Sequence, residues 1–297
     1  MGAHAAERPA VATLPDPVRR VVVLGDSITY SGGYVHAIAA YFATRHPSRA
    51  LEILNLGLAS ETVSGLSEDG HAKGQFPRPD LHERLERVLR ATRPDLVLAC
   101  YGMNDGIYLP LDPERFRRFQ AGLQRLRTAA AAANARIVHV TPPPYDDARG
   151  GKAGYGAVLE AYSAWMLAQR AAAGWEVIDA NGPLRAVLAA RQRAEPGFHL
   201  ARDGVHPGDF GHWLIAREIL RHFGARDLDD ADSAAGMAAG HPHGPRILEL
   251  VTRRQVLLRD AWLTATGHRR PGVRAGLPLA EAEAQARALE SERAALR

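Results

Sequence analysis

Short apolar runs alternate with longer helical patterns from Arg20 to about Gly224, and this alternation constrains the fold more than any other feature of the sequence. The apolar runs are rich in Val, Ile and Leu, which is typical of strands buried on both faces. They are found at Val21–Leu24, Leu51–Leu56, Leu96–Tyr101, Ile137–Thr141 and Glu176–Asp179. Helical patterns are found near residues 34–46, 80–92, 113–133, 155–173, 183–194 and 209–223. Strand–helix alternation at this spacing predicts an α/β domain with a parallel sheet and helices on both faces.

The rest of the chain divides into shorter segments. We expect an N-terminal tail at 1–19, one domain at 20–224, a linker at 225–244 and a helical extension at 245–297. The linker is predicted because its sequence is acidic at first and then rich in small residues. The extension carries two helical patterns, Ile247–Thr264 and Leu279–Leu296, and the first has the apolar spacing of an amphipathic helix. Such a helix is expected to dock on the domain or on a second subunit, which would make a homo-oligomer.

Composition excludes several classes of protein. With 46% hydrophobic residues the chain is not globally disordered, and no stretch approaches the roughly 20 consecutive apolar residues of a membrane span. The single cysteine, Cys100, excludes an intrachain disulfide framework and cysteine-cluster metal sites. The N-terminus lacks the apolar core of a signal peptide, so a cytoplasmic location is expected.

The net charge of +4 comes mainly from arginine, since only Lys73 and Lys152 are lysines. Long alanine runs accompany this skew, which indicates a compositional bias of the genome rather than selection for phosphate binding. Arginines are dense between Arg246 and Arg274, where the alternative to a packed helix is a nucleic-acid-binding arm. No recognised nucleic-acid motif is present, and we therefore expect no nucleic-acid partner.

Polar residues follow the predicted strands at the sheet edge where α/β folds bind ligands. Ser27 lies just after the first run, in the sequence GDSIT, and it acts as a nucleophile or caps the next helix. Gly57 follows the second run, where it offers a backbone N–H to a ligand or forms a turn. Asn104 follows the third run, and its amide suits a developing oxyanion or a turn.

Asp203 and His206 lie together before the last helical pattern of the domain. A carboxylate three residues before a histidine can hold the ring Nδ1–H and leave Nε2 free as a base, although a histidine on a loop is usually only solvated. A serine, a backbone N–H, an amide and an Asp–His pair are together the parts needed for acyl transfer through a tetrahedral intermediate.

These blocks (GDSIT, N-x-G, G-x-N-D and D-x-x-H) resemble, in order and spacing, the four sequence blocks of the SGNH (GDSL-type) hydrolase family. The resemblance covers about residues 20–224. It implies a three-layer α/β/α sandwich, flavodoxin-like, with a five-stranded parallel sheet. It also implies a catalytic triad and an oxyanion hole. The triad would be Ser27, His206 and Asp203, and the oxyanion donors would be the N–H groups of Ser27 and Gly57 and the amide of Asn104.

Two details qualify the resemblance. Many family members carry a second glycine in the second block, where this chain has Ala59-Ser60. The chain also lacks the G-x-S-x-G sequence, so the nucleophile elbow of the α/β-hydrolases does not apply.

The resemblance implies a serine esterase that needs neither a metal nor an organic cofactor. Aromatic and polar residues near the predicted site suit a polar alcohol such as a carbohydrate, and no long apolar lid is visible, which favours short acyl groups such as acetyl. Candidate substrate-binding residues are Asp26, Tyr30, Tyr34 and Tyr108. Asp26 is also interpreted as a structural residue that bonds neighbouring loops, and Tyr108 as a core residue.

Other functions remain open at this point. An acyltransferase would use the same triad, with an alcohol in place of water. A lysophospholipase or thioesterase acting on lipids is a further alternative. A non-enzymatic scaffold is disfavoured because no triad member is missing. His241 and His243 lack acidic partners at ligand spacing, so no metal site is expected.

Overall fold

A computed structural model describes residues 14, 18–226, 228 and 231–296. The predicted tail, 1–19, lies mostly outside the described residues. The five strands of the sheet are Arg20–Gly25 (β1), Glu52–Asn55 (β2), Leu96–Cys100 (β3), Arg136–Val140 (β4) and Val177–Ile178 (β5). All neighbouring strands pair in parallel, in the order β2-β1-β3-β4-β5. The predicted five-stranded parallel sheet is therefore confirmed, with each strand within the predicted apolar run or one residue beyond it.

Helices cover both sides of this sheet, as predicted. The α-helices are Ser27–Ser31 (α1), Gly33–Arg45 (α2), Leu81–Thr92 (α3), Pro113–Ala132 (α4), Asp147–Gly150 (α5), Tyr155–Ala173 (α6), Asn181–Ala194 (α7), Asp209–His222 (α8), Ala234–Ala239 (α9), Gly244–Thr266 (α10) and Leu279–Ala294 (α11). A short 3₁₀ helix spans His71–Gly74. Helix α2 packs on α8, α3 on α4 and α6 on α7. None of the described helices is both long enough and apolar enough to span a membrane.

The strand order places a crevice between the carboxyl ends of β1 and β3. The chain leaves β1 toward β2 on one side and returns to β3 on the other, and ligands of doubly wound sheets bind where the order reverses in this way. Gly25 pairs with Cys100, so both strands end at the same level. A Cβ on Gly25 would lie 2.7 Å from the Cys100 carbonyl oxygen, so the close approach of the two strand ends requires glycine. The next residues of both strands therefore meet at this crevice.

The C-terminal helices pack on the sheet domain. Gln255 of α10 is buried and donates from Nε2 to the Ile53 carbonyl of the edge strand β2 at 2.9 Å. Ile247, Leu258 and Trp262 of the same helix are buried in one hydrophobic cluster with the residues of the sheet. Helix α10 therefore covers the exposed edge that β2 would otherwise present. The pairing of two copies through these helices stays a prediction.

The segment 225–244, predicted as a linker, contains a short helix. This helix is α9, capped by Ser233, whose Oγ accepts from the Gly236 N–H at 3.0 Å. Met237 and Ala238 of this helix are buried, and α9 packs between α2 and α10. The small residues that suggested a linker are the ones that let this short helix approach its neighbours closely.

Candidate active site

Ser27 is the first residue of α1, directly after β1. The preceding Asp26 caps this helix, since its Oδ1 accepts from the Ile28 N–H at 2.9 Å. The Ser27 N–H donates to no acceptor among the described residues, as expected for the first turn of a helix. Of the two roles predicted for Ser27, Asp26 takes that of the helix cap. Ser27 therefore lies at the crevice with its hydroxyl not used for capping.

Asp203, His206 and Ser27 form a continuous chain of hydrogen bonds. The Ser27 Oγ lies 2.8 Å from His206 Nε2, and His206 Nδ1 lies 2.7 Å from Asp203 Oδ2. An aspartate accepts a hydrogen bond at Nδ1, so this ring nitrogen carries the proton and Nε2 is the acceptor for the serine hydroxyl. The structure therefore brings these three predicted residues together in the order that a general base needs.

The carboxylate of Asp203 is held ionised. Burial alone would raise its pKa, but the hydrogen bonds from the His206 side chain and the N–H groups of His206 and Val205 outweigh it and lower the pKa to about 2. The His206 and Asp203 side chains are 51% and 56% exposed, respectively. A substrate can therefore reach the pair directly from solvent.

Asn104 lies after β3 with its amide fixed from two sides. Its Nδ2 donates to the Glu61 carbonyl at 3.2 Å, and its Oδ1 accepts from the Tyr108 hydroxyl at 3.1 Å. The amide nitrogen has two hydrogens, so one N–H remains for another acceptor. Ile107 and Tyr108 both have positive φ, at 48° and 56°, a conformation that is strained for a β-branched residue such as Ile107. The turn that aims Tyr108 at Asn104 is therefore held by its surroundings.

Gly57 differs from its predicted role. Its N–H donates to Asn55 Oδ1 at 3.0 Å, and the residue is buried. A Cβ at this position would lie 2.5 Å from the Tyr30 nitrogen, so the glycine is needed for close packing of this loop against α1. In this structure the Gly57 N–H is occupied, and an oxyanion would have to displace Asn55 to use it.

Ser60, three residues later, presents a free N–H in this loop. It has a φ of 69°, it is half-buried, and its N–H donates to no acceptor among the described residues. Residues other than glycine and asparagine rarely adopt this left-handed conformation, so it indicates a constraint on the loop. The signal for Ser60 was present in the sequence, since many family members carry a glycine within this Ala59-Ser60 pair.

A buried ion pair stabilises the same loop, which contains Gly57 and Ser60. Arg84 donates from Nε and Nη2 to the two carboxylate oxygens of Glu61 at 2.6 and 2.8 Å, and Nη2 also donates to the Leu56 carbonyl at 2.7 Å. The Tyr101 hydroxyl adds a bond to Glu61 at 2.7 Å. Burial raises the pKa of Glu61, while the Arg84 guanidinium opposes this shift. This pair was missed in the sequence because its partners lie on different elements.

Two predicted substrate-binding residues are corrected. Tyr34 is fully buried, and its hydroxyl lies 2.8 Å from Thr29 Oγ1, so it packs under α1 and does not reach a substrate. Asp26 is 3% exposed, and burial raises its pKa to about 7, which agrees with the alternative interpretation as a structural residue. Tyr30 and Tyr108 are half-buried at the crevice and remain candidates.

A second serine–histidine pair lies at the other end of α1. The Ser31 Oγ lies 3.1 Å from His212 Nε2 and also donates to the Ile28 carbonyl at 2.8 Å. Among residues that the structure describes, no acceptor or donor faces His212 Nδ1. Nor does the described part of the chain gather three His, Cys, Asp or Glu side chains that could hold a metal ion.

The sequence matches the model of the GDSL-like Lipase/Acylhydrolase family over residues 23–214. A search of curated proteins gave no match. The matched segment contains Ser27, Ser60, Asn104, Asp203 and His206, and it ends before α9, α10 and α11.

Solved structures of similar fold include three enzymes at low sequence identity. A gut microbial diltiazem-metabolizing enzyme is 23% identical with a TM-score of 0.56, over 72% of this chain and 48% of the enzyme, so this chain spans about half its length. A catalytic mutant of Axe2, an acetylxylan esterase from Geobacillus stearothermophilus, is 21% identical with a TM-score of 0.55, over 73% of this chain and 97% of that one. LAE5, an alpha/beta hydrolase from the metagenome of Lake Arreo, Spain, is 24% identical with a TM-score of 0.53, over 72% and 96%. These likenesses show the fold.

Proposed function

Since the chain belongs to the GDSL-like lipase/acylhydrolase family and is a carboxylic ester hydrolase, we propose that it is a serine esterase that forms an acyl-enzyme on Ser27. The observation that carries this proposal is the hydrogen-bonded chain from Ser27 Oγ through His206 to Asp203. In that chain His206 Nδ1 faces the Asp203 carboxylate and Nε2 faces the Ser27 hydroxyl, which is the arrangement of an orienting carboxylate, a base and a nucleophile.

Acylation begins when Ser27 Oγ attacks the ester carbonyl carbon. The serine proton passes to His206 Nε2, which lies within hydrogen-bond distance at 2.8 Å. The imidazolium that forms is stabilised by the Asp203 carboxylate on Nδ1, whose pKa of about 2 keeps it ionised throughout the neutral range. Asp203 thus orients the ring and balances its charge, and it takes no proton itself.

The oxyanion of the tetrahedral intermediate needs N–H donors that are free and fixed before the reaction. The Ser27 N–H and the second N–H of Asn104 meet this requirement. For the third donor we propose the Ser60 N–H in place of that of Gly57, because the Gly57 N–H already donates to Asn55. The buried Glu61–Arg84 pair holds the loop that presents Ser60 and accepts from Asn104 through the Glu61 carbonyl.

Collapse of the intermediate breaks the bond to the alcohol oxygen, which leaves with the proton from His206 Nε2. Water then gives a proton to the same nitrogen and attacks the acyl carbon. The second tetrahedral intermediate collapses with cleavage of the bond to Ser27 Oγ and releases the acid, while His206 Nε2 returns the proton to that oxygen. Each step needs only the side chains and N–H groups described above.

We further propose that the substrate is a short-chain ester, acetyl most of all, of a polar alcohol such as a carbohydrate. The rim of the crevice is polar and aromatic, formed by half-buried Tyr30 and Tyr108 with exposed Asp203. The Arg78 guanidinium, whose side chain is only 6% exposed, lies 5.2 Å from the centre of the Tyr108 ring. The acetylxylan esterase of similar fold supports this class by analogy of fold alone.

One observation favours a different class, a lipid-type ester hydrolase. Leu109 and Leu111, 42% and 51% exposed, are the exposed large hydrophobic residues of the described chain, and they directly follow Tyr108. An apolar lip at this position suits a longer acyl chain.

Hydrolysis of p-nitrophenyl esters from acetate to dodecanoate separates these classes, with Ser27→Ala as the blank. The proposal expects the highest kcat/KM on acetate and a steady fall with chain length. A preference for octanoate or longer would overturn the acetyl ester and support the lipid-type alternative. Adding candidate sugars and measuring acetyl transfer against hydrolysis tests for an acyltransferase, which would show mainly transfer.

A further inference from the structure

We propose that the C-terminal extension supplies Arg270 to the substrate site, where its guanidinium recognises an anionic group on the ester. This inference rests on the proposed serine esterase and names a feature of its substrate. The extension lies outside the segment that matches the family, so the feature belongs to this chain.

Helix α10 leads the chain toward the crevice along the edge of the sheet. Gln255 bonds the Ile53 carbonyl within β2, and one turn later Arg259 donates from Nη1 to the Tyr30 carbonyl of α1 at 2.8 Å. The Arg259 guanidinium also lies 4.2 Å from the centre of the Tyr30 ring. The helix therefore follows the edge strand to its carboxyl end and contacts the helix that carries Ser27.

The loop after α10, residues 267–278, is anchored at both ends. Arg87 of α3 donates from Nε to the Thr266 carbonyl at 2.8 Å, where α10 ends. The Gly276 N–H donates to Thr264 Oγ1 at 2.8 Å, which ties the far end of the loop back to the helix. Gly276 packs so closely on the backbone at Asp260 and Ala261 that a Cβ would not fit. These contacts hold the loop over the active-site face.

Arg270 of this loop contacts the backbone next to the proposed oxyanion donor. Its Nε donates to the Ala59 carbonyl at 3.2 Å, and its guanidinium lies 5.1 Å from the centre of the Phe76 ring. The next carbonyl of this loop, that of Ser60, lies 3.5 Å from Arg78, whose guanidinium is 5.2 Å from the centre of the Tyr108 ring. Arg270 and Arg78 therefore contact consecutive carbonyls, those of Ala59 and Ser60.

The two arginines differ in charge balance. Arg78 is neutralised by Glu68, with Nε and Nη2 each 2.6 Å from a carboxylate oxygen. In the same loop as Arg270, Arg269 lies 3.3 Å from a carboxylate oxygen of Glu83. Within the described ranges Arg270 has no carboxylate within 4.0 Å and its Nη2 has no acceptor. Its positive charge is therefore available to a ligand.

The two histidines near Arg270 carry no positive charge at neutral pH. Burial lowers the pKa of His71 and of His268, and the positive charge of Arg270 acts in the same direction on both. A half-buried guanidinium stacked on an aromatic ring, with one free edge, is suited to a carboxylate, sulfate or phosphate group of a substrate.

Matched pairs of esters test this assignment. The first pair places the charge in the alcohol, as 4-carboxyphenyl acetate against 4-carbamoylphenyl acetate. The second places it in the acyl group, as 4-nitrophenyl hydrogen succinate against 4-nitrophenyl butyrate. In at least one pair, Arg270→Gln is expected to lower kcat/KM on the anionic ester roughly tenfold and to change the neutral ester less than about twofold. The pair that responds identifies the half of the substrate that carries the charge.

Arg269→Gln, from the same loop, is the matched control. In neither pair is it expected to change the ratio of kcat/KM on the anionic ester to kcat/KM on the neutral ester. Arg270→Lys keeps the charge and should retain most of the preference, and about 0.5 M NaCl should weaken it in the unmodified protein. An equal loss of kcat/KM on charged and neutral esters in Arg270→Gln would mean that Arg270 only stabilises the structure. No change on either ester would mean that Arg270 does not contact the substrate. Either result overturns the inference. Failure of the esterase proposal is distinct, since it would appear as undiminished neutral-ester hydrolysis in Ser27→Ala.

Discussion

Two serine–histidine pairs lie at opposite ends of α1, and their hydrogen bonds run in opposite directions. At the start of the helix, Asp203 accepts from His206 Nδ1, so Nε2 can take the proton of Ser27. At the end of the helix, the Ser31 hydroxyl donates to the Ile28 carbonyl, so Oγ must accept from the Nε2–H of His212. The first histidine is arranged as a base and the second as a donor.

Their surroundings differ as well. The Asp203–His206 pair is about half exposed, whereas His212 is buried and its Nδ1 has no partner among the described residues. Burial, aided by the charge of His206 and opposed by Asp209, lowers the pKa of His212 to about 4. A serine close to a histidine is therefore insufficient for nucleophilic catalysis, because a carboxylate on the far ring nitrogen decides which way the proton moves.

The largest expected effect separates the two serines. Ser27→Ala should lower kcat on p-nitrophenyl acetate by roughly 10⁴-fold or more, because it removes the attacking atom. Ser31→Ala should change kcat by less than about threefold, since its hydroxyl only bonds to the backbone and to His212. Steady-state kinetics on both variants, with circular dichroism to confirm folding, makes the comparison. Equal losses would mean that the two pairs are equivalent.

The carboxylates give the next test. Asp203→Asn should lower kcat roughly 10³–10⁴-fold, because an amide no longer fixes the Nδ1–H tautomer or balances the imidazolium. Asp209→Asn removes the carboxylate charge that acts on His212. This variant should leave kcat within about threefold. A large loss in Asp209→Asn would place the functional base on His212.

The recognition of these residues from sequence followed from their local context. Ser27 and Asn104 follow the strands β1 and β3 within four residues, and Asp203 and His206 lie three residues apart on one loop. The resemblance of these blocks to the SGNH family implied that the four residues meet at the sheet edge. The fold was predictable for the same reason, since each strand and most helices have a local pattern of apolar residues.

The residues that the sequence did not reveal depend on distant partners. Tyr34 was predicted to bind substrate because it lies shortly after the first strand, but α2 begins at Gly33 and turns this ring into the core. The contact of Arg270 with Ala59 joins residues 211 positions apart, and no local pattern predicts such a pairing. The sequence predicts the Gly57 N–H as an oxyanion donor, and we propose that of Ser60 instead, because which N–H is free is a property of the folded loop.

A smaller effect is expected at the oxyanion donors. Asn104→Ala should lower kcat roughly 10²-fold, because one fixed N–H is lost from the transition state. Tyr108→Phe removes only the bond that orients the Asn104 amide, so a loss of a few-fold is expected. Kinetics on both variants checks the order, and a larger loss in Tyr108→Phe than in Asn104→Ala would contradict it.

The last expected effect is on stability and not on activity, and it concerns the helix that carries both serines. Burial raises the pKa of Asp26 from an ordinary 3.8 to about 7, so its stabilisation of the folded state is fully present below pH 4 and is lost as the pH rises through 7. Asp26→Asn keeps an oxygen for the Ile28 N–H and removes this titration. Relative to the unmodified protein, the variant should gain roughly 4 kcal/mol in the free energy of unfolding between pH 4 and pH 8.

Chemical denaturation at both pH values measures that difference. Asp105, whose pKa burial raises to about 6, titrates in the same direction and is present in both proteins. Its charge also raises the pKa of Asp26, so the part of its contribution that is independent of Asp26 cancels. A gain that is the same at both pH values would show that Asp26 does not titrate in this range.

Covalent labelling with a fluorophosphonate, followed by peptide mass spectrometry, tests the central claim most directly. Such a reagent reacts with a serine that a neighbouring base activates. Ser27 as the nucleophile, with His206 as its base, predicts a single adduct on Ser27 that disappears in Ser27→Ala and forms far more slowly in His206→Ala. An adduct on Ser31, or labelling of Ser27 that is undiminished in His206→Ala, would contradict it.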